Sequence, residues 1–173
     1  MPPAEVPPLP GARPPENAFR ELIRTFGLVE RVMQPYFARF GISGSQWGVL
    51  INLHRAEQDG LPQLRLSELS DRLLIRPPSV TGLVDRLERA GLVVRDGSPT
   101  DLRAKQVGLT RDGRRLVRRI LTVHENQVST VLTGLTGEQQ QELHRLLVLW
   151  RTHLEQLVEK SAILKVRSLK DEG

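Results

Sequence analysis

A chain of 173 residues with 39% hydrophobic content and a formal charge of +5 has the size of one domain, or of one domain with an added oligomerisation extension. With no cysteine it can form no disulfide, no thiolate metal site and no thiol-based oxidant sensor. No apolar run approaches the roughly 20 residues of a membrane-spanning helix, and the first residues lack the basic-then-apolar pattern of a signal peptide, so a cytoplasmic protein with no membrane partner is expected.

Seven of the twelve prolines fall within residues 1–15. A segment so rich in proline cannot sustain a helix and has little to bury, so it reads as a disordered tail. From Glu16 the pattern changes. Phe19, Leu22, Ile23, Phe26, Val29, Met33, Phe37 and Phe40 recur at three- and four-residue steps, which predicts an amphipathic helix, kinked at Pro35 and ended by Gly41. Ser45 reads as the N-cap of a second helix, SQWGVLINLHRAEQ, with Trp47, Leu50, Ile51 and His54 on one side. Gly60 and Pro62 break the chain, Leu64–Leu66 reads as a short strand, and Ser67 reads as the cap of a third helix, SELSDRLL.

A fourth helix is predicted from Pro77, preorganised at a first helical position, to Gly91, a natural left-handed stop. Leu92–Arg95 and Lys105–Leu109 alternate as two strands around the turn region GSPTD. Thr110 caps a long helix from Arg111 to about Leu132, with Leu116, Val117, Ile120, Val123, Val128 and Val131 as its apolar stripe. Thr136 and Gln139 have the spacing of a capping box. They open a last helix striped by Leu143, Leu146, Leu147, Trp150, Leu154 and Leu157, before a charged tail from Ser161.

Two short helices followed by a basic hairpin fit a winged helix-turn-helix, with one helix for the major groove and a wing for the minor groove or backbone. Charge supports that reading. Residues 76–119 hold eleven Lys or Arg against five acids, a surplus of six in a chain whose whole surplus is five. A basic segment of this kind is the footprint of phosphate contact. The expected fold is mainly α with a small β-wing: a winged helix-turn-helix plus long dimerisation helices from both termini. The predicted organisation is a tail (1–15), an N-terminal dimerisation helix (16–44), a winged DNA-binding unit (45–110), C-terminal dimerisation helices (111–160) and a charged tail (161–173). Neither terminal set of helices can bury its stripe well alone. A symmetric dimer would bury both and hold two reading helices about one DNA turn apart, roughly 34–36 Å. Phe19, Leu22, Leu143, Leu147, Trp150 and Leu154 are the candidate interface residues.

The sequence VTGLVDRLERAGLVVRD, followed by Asp101, Arg103, Ala104 and Lys105 and then LTRDG from Leu109 to Gly113, resembles the MarR family of bacterial transcriptional regulators. The likeness spans about residues 17–158. It implies that the start of the fourth helix meets base edges through Pro78, Ser79, Thr81 and Gly82, with Arg76 and Arg86 nearer the backbone. It also implies that Arg103 enters the minor groove while Asp101 braces the wing, with Arg95 and Lys105 adding charge. Two positions depart from the family pattern. Gly82 stands where many members have arginine, so no bidentate contact to guanine can come from it. Arg76 stands where a small N-cap is common. The resemblance further implies a cleft that receives a small aromatic effector, with Tyr36, Phe40, Trp47 and His54 near it. Plain core packing is the alternative role for those rings.

No catalytic motif is present, so an enzyme is not expected. His54, His124, His144 and His153 form no ligand spacing, so neither metal nor cofactor is expected. The expected function is a homodimeric regulator, in the main a repressor, that binds a pseudo-palindromic site on double-stranded DNA and is released by a small ligand. The alternative is a winged-helix protein-interaction module, or an activator without ligand control.

Overall fold

The computed structural model describes the backbone of residues 14–98 and 101–171, and the side chains of residues 16–96 and 106–160. Residues 1–13 of the expected tail, and residues 99–100 of the wing turn, lie outside the described residues. In chain order the elements are α1 (Pro14–Ala38), α2 (Gly44–Gln58), β1 (Gln63–Arg65), α3 (Leu66–Leu73), α4 (Pro77–Arg89), β2 (Val93–Ser98), β3 (Asp101–Leu109), α5 (Arg111–Leu132) and α6 (Gly137–Asp171). The three strands form one antiparallel sheet in the order β1-β3-β2. No helix among the described residues is long and apolar enough to cross a membrane.

Helix ends follow local chemistry. Pro14 opens α1 ahead of the expected Glu16, and the helix runs through Pro35. Ser43, not Ser45, caps α2: its Oγ accepts from the Gln46 amide at 3.2 Å, and the Ser43 amide donates to Gln46 Oε1 at 2.8 Å. Only Ser43 has a Gln three residues on, so only it can close both bonds, worth about 1 kcal/mol. Ser67 is likewise not a cap. Arg65 stands at the N-cap of α3, and its amide donates to Glu68 Oε2 at 2.7 Å.

The end of α4 and the start of α5 are joined. Gly91 takes φ 70°. The Gly91 and Leu92 amides bond back to the Glu88 and Leu87 carbonyls at 2.9 Å each, a Schellman stop. Thr110 Oγ1 donates to the Gly91 carbonyl at 2.7 Å and accepts from the Gly113 amide at 3.0 Å. One hydroxyl thus caps α5 and ties it to the end of α4. Gly113 sits so close to this junction that a Cβ there would lie 2.0 Å from the Leu92 carbonyl oxygen.

The chain divides into two compact units, Met1–Gln127 and Val128–Gly173. The core of the first is built from Phe37, Leu50, Leu53, Leu69, Val80, Leu87, Val107, Val117 and Ile120, all buried. In α5 the expected stripe holds at Val117 and Ile120, but Val123 is exposed and the half-buried residue is His124. Four steps from Ile120 and seven from Val117 put His124 on the same face. There it meets Tyr36, Phe37 and Trp47, with ring centroids 5.8, 6.2 and 5.3 Å away. The Tyr36 hydroxyl lies 3.3 Å from His124 Nδ1 and 3.4 Å from the Ile120 carbonyl. In the second unit, the Thr136 amide donates to Gln139 Oε1 at 2.8 Å and the Gln139 amide to Thr136 Oγ1 at 3.2 Å, the reciprocal bonds that start α6.

Gly113→Ala is expected to destabilise the fold by about 2–4 kcal/mol, because the methyl meets backbone that cannot step aside. Urea melts of the two proteins measure it, and a loss below about 1 kcal/mol would refute the close approach. The second expectation concerns pH. Burial, with the Arg55 charge added, holds His124 below the ordinary histidine range, so the folded chain keeps it neutral while the unfolded chain protonates near pH 6.5. Unfolded chain therefore binds more protons, and stability falls as pH drops below about 6.5. In thermal melts from pH 7.5 to 5, His124→Phe is expected to lose less stability than the parent chain; parallel curves would contradict the assignment.

Candidate nucleic-acid interface

Four residues of α4, Val80, Leu83, Val84 and Leu87, are buried. Their helical spacing turns the opposite face outward, and Arg76, Pro78, Ser79, Thr81 and Arg86 are all exposed there. Arg76 is the N-cap residue, yet its side chain makes no capping bond. Pro77 and Pro78 follow and withdraw no needed amide, because first-turn amides have no partner within the helix. Thr81 Oγ1 donates back to the Pro77 carbonyl at 3.1 Å. Among the described residues, Arg76 and Arg86 form no ion pair. Gly82 lies mid-helix, and a Cβ added there would meet nothing closer than Arg86 Nη1 at 3.8 Å. Packing does not demand a glycine at that position.

Arg95, expected to add charge beside the wing, is engaged within the fold. From β2 it reaches back onto α4. Its Nη2 lies 2.5 Å from Asp85 Oδ1, its Nη1 2.8 Å from Glu88 Oε2, and Nη2 also donates to the Thr81 carbonyl at 3.4 Å. The Arg95 amide donates to Glu88 Oε1 at 3.3 Å. The side chain is only 17% exposed. With its fork closed on two carboxylates, Arg95 joins wing to helix. The signal was present in the sequence: two acids on the last turns of α4, and a basic residue a few positions beyond the turn.

The wing itself is a β2–β3 pair in register from Val93 opposite Leu109 to Asp96 opposite Gln106, then irregular before Ser98 meets Asp101. A second tie crosses the sheet, from Gln63 Nε2 on β1 to Asp96 Oδ2 on β2. Between those strands lies β3, and Gly108 gives the Gln63 side chain room to pass: a Cβ at Gly108 would stand 3.0 Å from Gln63 Cγ. Asp101 and Arg103, with Lys105, belong to β3; their side chains lie outside the described residues.

Tyr36 and Trp47 are buried and Phe40 half-buried, with Tyr36 and Phe40 edge to face at 5.5 Å. Arg39 stands 5.4 Å over the Tyr36 ring and Arg119 5.2 Å over the Phe40 ring. The histidine in ring contact is His124, which sequence reading passed over; its signal was the spacing from Val117 and Ile120. His54 is half-buried on α2, its Nδ1 enclosed without a hydrogen-bond partner among the described residues. Of the expected interface residues, Phe19, Leu143, Leu147 and Leu154 are exposed in the single chain, while Leu22 and Trp150 are half-buried.

Comparison with known proteins places this arrangement. A family model described as MarR family matches residues 40–104, from just beyond α1 into the wing. The homoprotocatechuate degradative operon repressor of Escherichia coli is 31% identical over 114 residues, covering 66% of this chain and 74% of that protein. The regulator PecS of Dickeya dadantii (strain 3937) is 28% identical over 134 residues, covering 77% and 79%. Among solved structures, Bordetella bronchiseptica BpsR, whose DNA binding is regulated by 6-hydroxynicotinic acid, superposes with a TM-score of 0.70 at 22% identity, over 78% of this chain and 98% of its own. A mutant of E. coli MarR with operator DNA gives 0.66 at 24% identity, over 74% and 89%. These structures share the fold. With a family model on the winged unit and a relative above 30% identity along three quarters of its length, the chain belongs to the MarR family.

Proposed function

We propose that this protein is a cytoplasmic DNA-binding transcriptional regulator and not an enzyme, acting as a homodimeric repressor on a pseudo-palindromic operator and released by a small aromatic acid. The observation that carries the reading is the outward face of α4. Its first turns present Arg76, Ser79 and Thr81, all exposed, with Arg76 in no ion pair among the described residues, beside a wing that Arg95 fixes to the same helix. Such a helix fits a major groove, and a wing fixed at its base can carry Arg103 to the adjacent minor groove.

The relatives support the finer points. One is named a repressor, a neighbour is held with operator DNA, and another is regulated by an aromatic acid. The exposed apolar residues of α1 (Phe19, Ile23, Phe26) and of α6 (Leu143, Leu146, Leu147) support a second copy as partner. For the effector, a cation beside each of two aromatic rings, Arg39 at Tyr36 and Arg119 at Phe40, supplies the chemistry an aromatic carboxylate needs. A ligand releases the operator only by binding the non-reading conformation more tightly.

The test is an operator titration against salt. Two chains per duplex are expected. Arg103→Ala is expected to weaken binding and to lower the slope of log K against log salt by about one unit per half-site, one released counterion. Unchanged affinity and slope would remove the wing from the interface. A second variant separates fold from reading at Gly82. Because its Cβ site is open, Gly82→Ala is expected to stabilise the chain by about 0.5–1 kcal/mol, the ordinary glycine penalty in a helix, while changing base preference in a selection from random DNA. A destabilised variant, or one with identical preference, would contradict the placement.

A further inference from the structure

Four described residues take a left-handed backbone. Three are glycines: Gly41 at φ 73°, Gly60 at 83° and Gly91 at 70°. The fourth is Leu74, at φ 54° and ψ 34°, the residue that ends α3. A Cβ in this region crowds the following carbonyl, so glycine or asparagine is the usual occupant. Leucine gains nothing there by packing, because Leu74 is 90% exposed, the most exposed large apolar side chain among the described residues. Strain and exposure both act against it. An outlier of this kind points to a task outside the fold.

Its surroundings hold it rigidly. The Leu74 amide donates to the Asp71 carbonyl at 3.3 Å and the Ile75 amide to the Ser70 carbonyl at 3.2 Å. Ser70 Oγ donates to the Ile75 carbonyl at 2.5 Å, while Ile75 itself packs on the core. Leu74 therefore stands on a fixed turn. It lies two residues before Arg76, the N-cap of α4, and three before Pro77. Leu74, Pro77 and Pro78, three apolar residues at the entry of the reading helix, are all exposed. Further along the helix, Gly82 offers no side chain for base readout.

We propose that Leu74 is a specificity-determining residue whose side chain contacts the C5-methyl of a thymine at the edge of the major groove. That methyl is the apolar group the groove displays, and with its backbone already fixed Leu74 has only side-chain freedom to lose in meeting it. The inference rests on the DNA-reading function proposed above. It adds a base contact from the turn ahead of the helix, to those available from Ser79 and Thr81 on a helix whose Gly82 has none to give.

The test uses a duplex that the full-length protein selects from a random library, with each thymine replaced in turn by deoxyuridine, which removes only that methyl. Leu74→Gly and Leu74→Asn both suit the left-handed backbone, so melting temperatures equal to or above the parent's are expected. For the parent chain, one symmetry-related pair of thymines is expected to lose affinity on replacement, about fourfold per half-site, the worth of one methyl. Leu74→Gly should bind the thymine duplex more weakly by a similar factor and be indifferent to the same replacement. Equal affinity of variant and parent overturns the role of Leu74. Weaker binding by the variant, with every deoxyuridine effect retained, overturns the methyl contact. A parent chain that selects no sequence overturns this inference together with the function it rests on, whereas selection followed by indifference to every deoxyuridine overturns this inference alone.

Discussion

The bond between Arg95 and the last turns of α4 is the constraint on which the reading unit depends. A two-stranded ribbon on its own is marginal in water, and its direction relative to a neighbouring helix is not set by strand pairing. Here one guanidinium closes on Asp85 and Glu88 at once, and the Arg95 amide joins Glu88 as well. Removing one partner of a buried ion pair costs about 3–5 kcal/mol. The carboxylates of Asp85 and Glu88 are 47% and 39% exposed, so solvent screens them and about 1–3 kcal/mol is the fitting scale. Thr110 and Gly113 complete the frame by fixing α5 to the end of α4. Helix, wing base and long helix are thereby coupled at one point.

This frame changes how the basic segment is understood. Its surplus charge suggests a broad phosphate-binding face, but much of the charge is already engaged. Arg95 is held by α4. Arg114 bonds Glu57 on α2, with Nη2 2.6 Å and Nε 2.7 Å from Oε1. Arg115 pairs with Asp112, and Arg119 lies over Phe40. Among the described residues, what α4 leaves without an ion pair is narrower, Arg76 and Arg86 flanking a face that is polar or bare. A basic composition marked the right segment but overstated its free cations, because ion pairs between helices cannot be counted from a linear string.

How much was legible follows from how far each cause acts along the chain. Pro77, Gly91, Thr110 and the Thr136–Gln139 pair were readable because each acts within a few residues, and the structure puts helix ends where they predict. Ser45 and Ser67 were mistaken for caps because type alone was weighed; Ser43 and Arg65 are the ends whose partners, Gln46 and Glu68, stand three residues on. The place of His124 depends on Tyr36, 88 residues away. Spacing could have put it on the buried face, but not told which rings would meet it. Leu74 was equally silent, since a backbone angle is not written in residue type.

The single chain also leaves a physical debt that its own core cannot settle. Phe19, Ile23 and Phe26 on α1 are 58%, 56% and 62% exposed, and they share one side of the helix at steps of four and three. On α6, Leu143, Leu146, Leu147, Leu154 and Leu157 are all more than a third exposed. Monomeric proteins seldom leave such runs to water. At about 25 cal/mol for each Å² removed from water, covering several such side chains yields enough to offset the entropy lost on association. The exposed faces of α1 and α6 are therefore where a partner would add stability to what Phe37, Val117 and Ile120 already contribute to the core. If that partner is a second copy, the conformation of these helices sets the separation of two α4 faces. A ligand acting among the rings of α1, α2 and α5 would then need no contact with DNA to alter operator binding.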